Sequence, residues 1–201
     1  MVDQIIILEI EKLLDNKKIL DYNILSDSFG INCLKIDTED KERYIVKYYY
    51  KKEGGFNAIK SEADNILFLN SHKYNFFPKI INNNNKFLIM SFIDNNNNLP
   101  IKTNDDLLGA IILLHSKRSN NYGFNFDTQI GGLKQSNSNS KNWAGFYRDK
   151  RLYYIFDLIN KNQPMDKTIN TKIELLLKKI DNFIPNKPKP SLLHGDLWEG
   201  N

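Results

Sequence analysis

The stretch SLLHGDLWEGN at residues 191–201 carries a carboxylate, Asp196, and a carboxamide five residues later, Asn201. An Asp on a loop can accept or orient the proton of an attacking hydroxyl. An Asn at that spacing on the same loop can hold a Mg²⁺ ion, and together they serve phosphoryl transfer. His194 reads as a support for the loop, and the plain alternative is an ordinary turn with a capping Asp. The same chemistry needs a cation for nucleotide phosphates. Lys47 lies in YIVKYY, amid β-branched and aromatic residues. Glu62, in the following segment KSEADNIL, is placed to hold that lysine by charge. Taken singly, each reads rather as an exposed surface residue, and the order of elements favours the site. A turn that covers phosphates must expose backbone N–H groups and admit close approach, which favours small residues. SDSFGIN offers Gly30 as its only glycine, with Ser26 and Ser28, and a plain hairpin turn has the same composition.

The elements that must position these residues follow from periodicity. Residues 2–15 predict a helix with Ile6, Ile10, Leu13 and Leu14 on one face. Three β-like runs follow, at Tyr22–Leu25, Ile31–Asp37 and Tyr44–Tyr50, divided by Gly30 and by the charged turn TEDKE. AIKSEADNILFLNSH returns to steps of three and four, and Pro78 stops it. Two more strands are expected at Lys79–Ile81 and Lys86–Ile93. The Asn-rich segment 94–98 then makes a hinge. Beyond it come helices: NDDLLGAIILLHSK with Asn104 as N-cap, KNWAGFYRDKRLYYIFDLINK, and TKIELLLKKIDNFI. The order predicts an α+β, protein-kinase-like two-lobe fold. Residues 1–93 form a nucleotide-binding lobe with a five-stranded antiparallel sheet and a helix. Residues 94–201 form an incomplete helical lobe ending in the catalytic loop.

Composition narrows the class. A chain of 201 residues with 41% hydrophobic content can fill a core. Its net charge of +4 comes from scattered lysines, so no nucleic-acid partner is expected. Cys33 is the only cysteine, which rules out an internal disulfide and fits a reducing compartment. As a strand residue it reads as a small hydrophobe, or as a redox handle beside the phosphate turn. The start MVDQIIILEIEKLLDNKK has no basic region before its apolar run, and Glu9 and Glu11 interrupt it, so it is no secretory signal. No run approaches the ~20 apolar residues that span a bilayer. A cytoplasmic protein with no membrane partner is expected.

With these residues assembled, the chain resembles the fructosamine/ketosamine-3-kinase family, part of the kinase-like superfamily with aminoglycoside and choline kinases. The most specific part is YGFNFDTQIGGLKQSNSNSKNWAGFYRDKRL at 122–152, followed by LLHGDLWEGN. The resemblance implies ATP-dependent phosphorylation of the third sugar hydroxyl of ketoamines formed on lysine, a deglycation repair that makes the adduct prone to eliminate. It implies ATP and Mg²⁺ as cofactors and glycated lysine as partner. Lys47 would pair the phosphates, Glu62 would anchor it, and Met90–Phe92 would border adenine. Asp196 would be the base and Asn201 a metal ligand. Trp198 would stack on a sugar or simply pack. Asp127, Gln129 and Trp143 would shape the substrate side or serve structure.

There are departures. The family's phosphate turn usually begins with two glycines, and a family Trp near QSNSNS is replaced by Asn139. A second metal-binding Asp is expected after the catalytic loop, and nothing follows Asn201. The expectation is a truncated member with little activity of its own. Two other readings stay open: a small-molecule kinase of the aminoglycoside or choline type, and an inactive nucleotide-binding fragment.

Overall fold

The computed structural model describes residues 2–51, 55–72, 74, 76–94 and 103–197, with backbone only at 103 and 104. It is a mixed α+β structure that divides into two compact units. The first comprises residues 1–98 with 128–134, and the second residues 99–127 with 135–201. The boundary expected at residue 94 gave the segment 128–134 to the second part; it belongs to the first, because it packs there.

The first unit opens with helix α1 (Gln4–Leu13). Asp3 caps it by accepting the Ile5 amide at 2.9 Å. It ends where Asp15 and Asn16 take left-handed φ of 57° and 66°, a conformation these short polar residues tolerate better than most. Five strands follow: β1 (Ile19–Ser28), β2 (Ile31–Thr38), β3 (Arg43–Tyr49), β4 (Ile80–Asn83) and β5 (Phe87–Ser91). Between β3 and β4 runs helix α2 (Ala58–Ser71). The sheet order is β1-β2-β3-β5-β4 and every pairing is antiparallel. β3 is thus the central strand, pinned by ladders on both sides.

Side chains alternate across a strand, so each strand feeds two cores. On one face Leu34, Ile36, Tyr44, Val46, Tyr48, Phe87 and Ile89 pack against Ile7, Ile10 and Leu14 of α1. On the other, Tyr49, Leu88 and Met90 pack with Ile59, Ala63 and Ile66 of α2. Burial of each such side chain stabilises by about 1.5–3 kcal/mol. Glu11 ties α1 to β1: its carboxylate accepts the Ile19 amide at 3.0 Å and the Lys18 ammonium at 2.8 Å. Those two hydrogen bonds, led by Lys18, hold its pKa below the usual carboxylate range.

Two three-residue strands complete the first unit, β6 (Thr128–Ile130) and β7 (Leu133–Gln135), joined by Gly131–Gly132 and packed on α2 through β6. This hairpin was not expected from the periodicity. The glycine pair, with φ of 50° and 77°, meets the demand of a two-residue hairpin turn for positive φ at both central positions.

The second unit holds α3 (Thr103–Ser116), α4 (Trp143–Tyr147), a π-helical turn at Arg148–Leu152, α5 (Tyr153–Asn162), α6 (Lys167–Lys178) and a 3₁₀ turn at Ile180–Asn182. Asn104, expected as N-cap, sits one residue inside α3. Segment 186–192 is laced to earlier backbone. Trp143 N donates to Asn186 O at 2.8 Å, and Leu192 N to Lys117 O at 2.9 Å. Tyr122 donates its hydroxyl to Pro188 O. Among the described residues, no helix is long and apolar enough to cross a membrane.

Candidate active site

In the first unit the central strand aims Lys47 at α2. Val46 and Tyr48 on either side face α1, so the pleat turns Lys47 toward the opposite face. There its Nζ meets Glu62 Oε1 at 2.7 Å, with both side chains half-buried. Burial works against the Lys47 charge, but attraction and hydrogen bonding from Glu62 outweigh it, and the pKa lies above its ordinary value. The ammonium is therefore favoured in its charged form and is oriented by its bond to Glu62.

Cys33 faces Lys47 across the β2–β3 ladder. Burial raises its thiol pKa, and Lys47 only partly opposes this. A buried, protonated thiol is a poor nucleophile, so the small-hydrophobe reading fits its surroundings.

Ser28 ends β1 and pairs with Ile31, leaving Phe29–Gly30 as a two-residue turn. Gly30 is required twice over. Its φ is +72°, and a Cβ there would lie 1.9 Å from the Lys51 carbonyl oxygen. That carbonyl approaches closely because the amides of Tyr50 and Lys51 both donate to Gly30 O. Met90 is buried against α2. Phe92 is held between cations, with Lys35 Nζ 5.3 Å and the Arg43 guanidinium 4.6 Å from its ring centre. Gln129 is occupied locally: its Oε1 accepts the Gly132 amide at 3.0 Å and closes the β6–β7 turn.

In the second unit Asp196 is exposed, and its amide donates to His194 Nδ1 at 3.4 Å. Trp198 and Asn201 lie outside the described residues. Asp127 Oδ1 accepts the Asn137 amide at 3.0 Å. Trp143 packs among Tyr122, Phe146 and Tyr147, with ring centres 5.4–5.8 Å away.

The centre of this block is a residue the sequence reading passed over. Asn137, only 4% exposed, donates from Nδ2 to Phe126 O at 3.1 Å. Its Oδ1 accepts from Arg151 at 2.5 Å, and its backbone O accepts the Phe124 amide at 2.9 Å. Arg151 also donates to Ser136 O and lies over the Phe146 ring. Burial lowers its pKa from the ordinary value, with Tyr147 opposing. The available signal was the match between one of two Asn in a Ser-rich loop and an Arg in the helical stretch that follows, which spacing alone does not single out.

The fructosamine kinase family profile matches residues 10–201. The chain belongs to the fructosamine kinase family. Among its relatives, a "probable ketoamine kinase" of Vibrio parahaemolyticus is 27% identical over 88% of this chain and 59% of its own length. The chloroplastic protein-ribulosamine 3-kinase of Arabidopsis thaliana is 34% identical over 70% of this chain and 42% of its own. A crystal structure from Thermobifida fusca, of a protein assigned as a fructosamine-3-kinase, superposes with a TM-score of 0.80 at 18% identity. It covers 98% of this chain and 68% of that one, a likeness that shows the fold. The chain thus spans about three-fifths of the length of the curated Vibrio relative it matches. As a fructosamine kinase family member it has the expected α+β fold with a five-stranded antiparallel sheet.

Proposed function

We propose that this chain carries the nucleotide-binding part and the catalytic loop of an ATP-dependent kinase that phosphorylates the sugar O3 of ketoamines on lysine. The observation that carries the reading is the Lys47–Glu62 pair at 2.7 Å on the central strand of a fructosamine kinase family member. ATP suits these residues. Lys47 supplies positive charge for phosphate oxygens and Glu62 holds its direction, while Gly30 lets the turn assigned to the phosphates close against the Lys51 carbonyl.

Asp196 is assigned as the group that takes the proton from the sugar hydroxyl. As that O–H bond breaks, the oxygen bonds to the γ-phosphorus and the bond to the ADP oxygen breaks. The three residues act by charge, direction and proton acceptance, and none forms a covalent intermediate. Mg²⁺ is expected with the nucleotide. Among the described residues there is no group of three His, Cys, Asp or Glu side chains to hold it.

Substrate choice rests on the family match and on the Arabidopsis relative named for ribulosamine. Asp127 and Trp143 are assigned to shaping the second unit beside Asp196, with Trp198 as the candidate sugar-stacking ring and Asn201 as the candidate metal ligand. The expected setting is cytoplasmic.

Calorimetry tests the nucleotide half: the chain should bind Mg·ATP, and Lys47→Ala should lose at least tenfold in affinity, about 1.4 kcal/mol. ³¹P NMR tests the acceptor half, using the chain fused to the part of the Vibrio relative beyond the matched residues. Ribulosyl-lysine or fructosyl-lysine should yield a sugar phosphate, while gentamicin and choline should not. Phosphorylation of gentamicin or choline alone would establish the small-molecule kinase reading instead.

A further inference from the structure

We propose that Phe29 is a positioning residue for the nucleotide: laid on the Gly131–Gly132 tip of the β6–β7 hairpin, it clasps the β1–β2 turn in place. The proposal rests on the reading of that turn as the one that covers the phosphates.

The first observation is backbone conformation. Phe29 and Gly30 form the two-residue link between Ser28 and Ile31, with φ of 52° and 72°. Such links call for Asn, Asp or Gly at the first position, because a bulky side chain at positive φ crowds its own carbonyl. A phenylalanine there is strained, and strain of this kind persists only where the surroundings hold it. Core burial offers no compensation, since Phe29 is 63% exposed and belongs to neither core of the unit.

The second observation is what the ring touches. A Cβ on Gly132 would lie 3.0 Å from Phe29 Cβ, and one on Gly131 would lie 3.5 Å from the ring edge. The two glycines thus form a bare platform against which the aromatic rests, and a Cβ at Gly132 would crowd it. Gln129 closes that platform by accepting the Gly132 amide, so the tip is itself fixed. β6 also packs on α2, the helix that carries Glu62. One hairpin therefore braces both the turn and the helix that orients Lys47.

The consequence is kinetic and thermodynamic order. A two-residue tip on the edge strand β1 is tethered on one side only. If only a fraction of molecules hold the tip in its binding geometry, apparent affinity falls by that fraction. The clasp raises the fraction.

The test uses the 201-residue chain and two readouts, amide exchange at both tips and Mg·ATP affinity by calorimetry. Phe29→Asn keeps a turn-compatible residue and removes the ring. It should speed exchange at Gly131–Gly132 and weaken Mg·ATP about five- to tenfold, with no loss in the urea midpoint. Phe29→Tyr keeps the ring and should restore both readouts. Unchanged exchange at Gly131–Gly132 in Phe29→Asn would overturn the clasp, and unchanged Mg·ATP affinity would overturn the positioning role. A wild-type chain that binds no Mg·ATP would sink the reading of the turn, and the positioning role with it, while exchange would still decide whether the clasp exists.

Discussion

The two units reach order by different means. In the first, both faces of a five-stranded sheet are covered, and Leu34, Ile36, Val46, Leu88 and Ile89 are fully enclosed. In the second, Leu107, Leu108, Ile112, Leu113, Leu175 and Leu176 are exposed on the surfaces of α3 and α6. Beside a small buried apolar set that includes Leu114, Ala144, Phe146, Leu177 and Ile180, its fixed points include polar ones: Asn137 with Arg151, Asp127 with the Asn137 amide, and Tyr122 with Pro188. The Lys47–Glu62 pair therefore stands on a packed hydrophobic scaffold, whereas the loop bearing Asp196 stands on a network of directional bonds. Hydrophobic scaffolds fail by cavity formation, and polar ones by leaving partners unsatisfied.

The largest expected effect tests that contrast directly. Ile36→Ala should destabilise the first unit by about 2–5 kcal/mol, because the surrounding core cannot close the void. Leu108→Ala on α3 should change stability by less than ~0.5 kcal/mol. Urea unfolding followed by far-ultraviolet circular dichroism compares them, and equal effects would break the distinction. Next, Asn137→Ala should cost about 1–3 kcal/mol, since Phe126 O and the Arg151 guanidinium each lose a buried partner. Tryptophan fluorescence reads this in the second unit, because residues 1–98 and 128–134 contain no tryptophan.

A smaller global effect is expected of Glu62→Gln. The fold should persist, but Lys47 would lose the charge that raises its pKa, and Mg·ATP affinity should drop roughly tenfold. Calorimetry across pH 7–10 would sharpen this, with the variant losing affinity at lower pH than the wild type. The smallest effect belongs to Lys17 and Asp40, paired at 2.6 Å on the surface. Hydrogen bonds from Lys17 and Thr38 bring the Asp40 carboxyl down to about 2. A depressed carboxyl contributes stability above its unfolded pKa of ~3.9 and loses it as pH falls through the folded value. Lys17, raised chiefly by Asp40, keeps its contribution at neutral pH and loses it only above the ordinary lysine range. Asp40→Asn should flatten the acid limb of the stability curve between pH ~4 and ~2. The difference should shrink in ~0.15 M salt.

Legibility in the sequence followed the same division. The strands could be read because Leu34 and Ile36, or Tyr44, Val46 and Tyr48, alternate with residues of the other face. Lys47 stood out because it interrupts such a run, and Glu62 because it lies in the next helical stretch. β1 proved longer than the run at Tyr22–Leu25, since exposed polar residues extend an edge strand without leaving an alternating signature. β6 and β7 are too short for periodicity, although the glycine pair between them was a turn signal. The π-helical turn at Arg148–Leu152 has no local signature either, because helical spacing continues on both sides of it. Asn137 and Phe29 escaped for a shared reason. Their importance lies in which backbone atoms they meet, and composition does not encode that.

The seating of α1 against β2, β3 and β5 has a consequence for biosynthesis. Its apolar stripe of Ile7, Ile10 and Leu14 leaves the ribosome well before its partners Phe87 and Ile89. A nascent chain must carry that uncovered stripe throughout the interval, which makes early residues the natural point of engagement for a holdase chaperone.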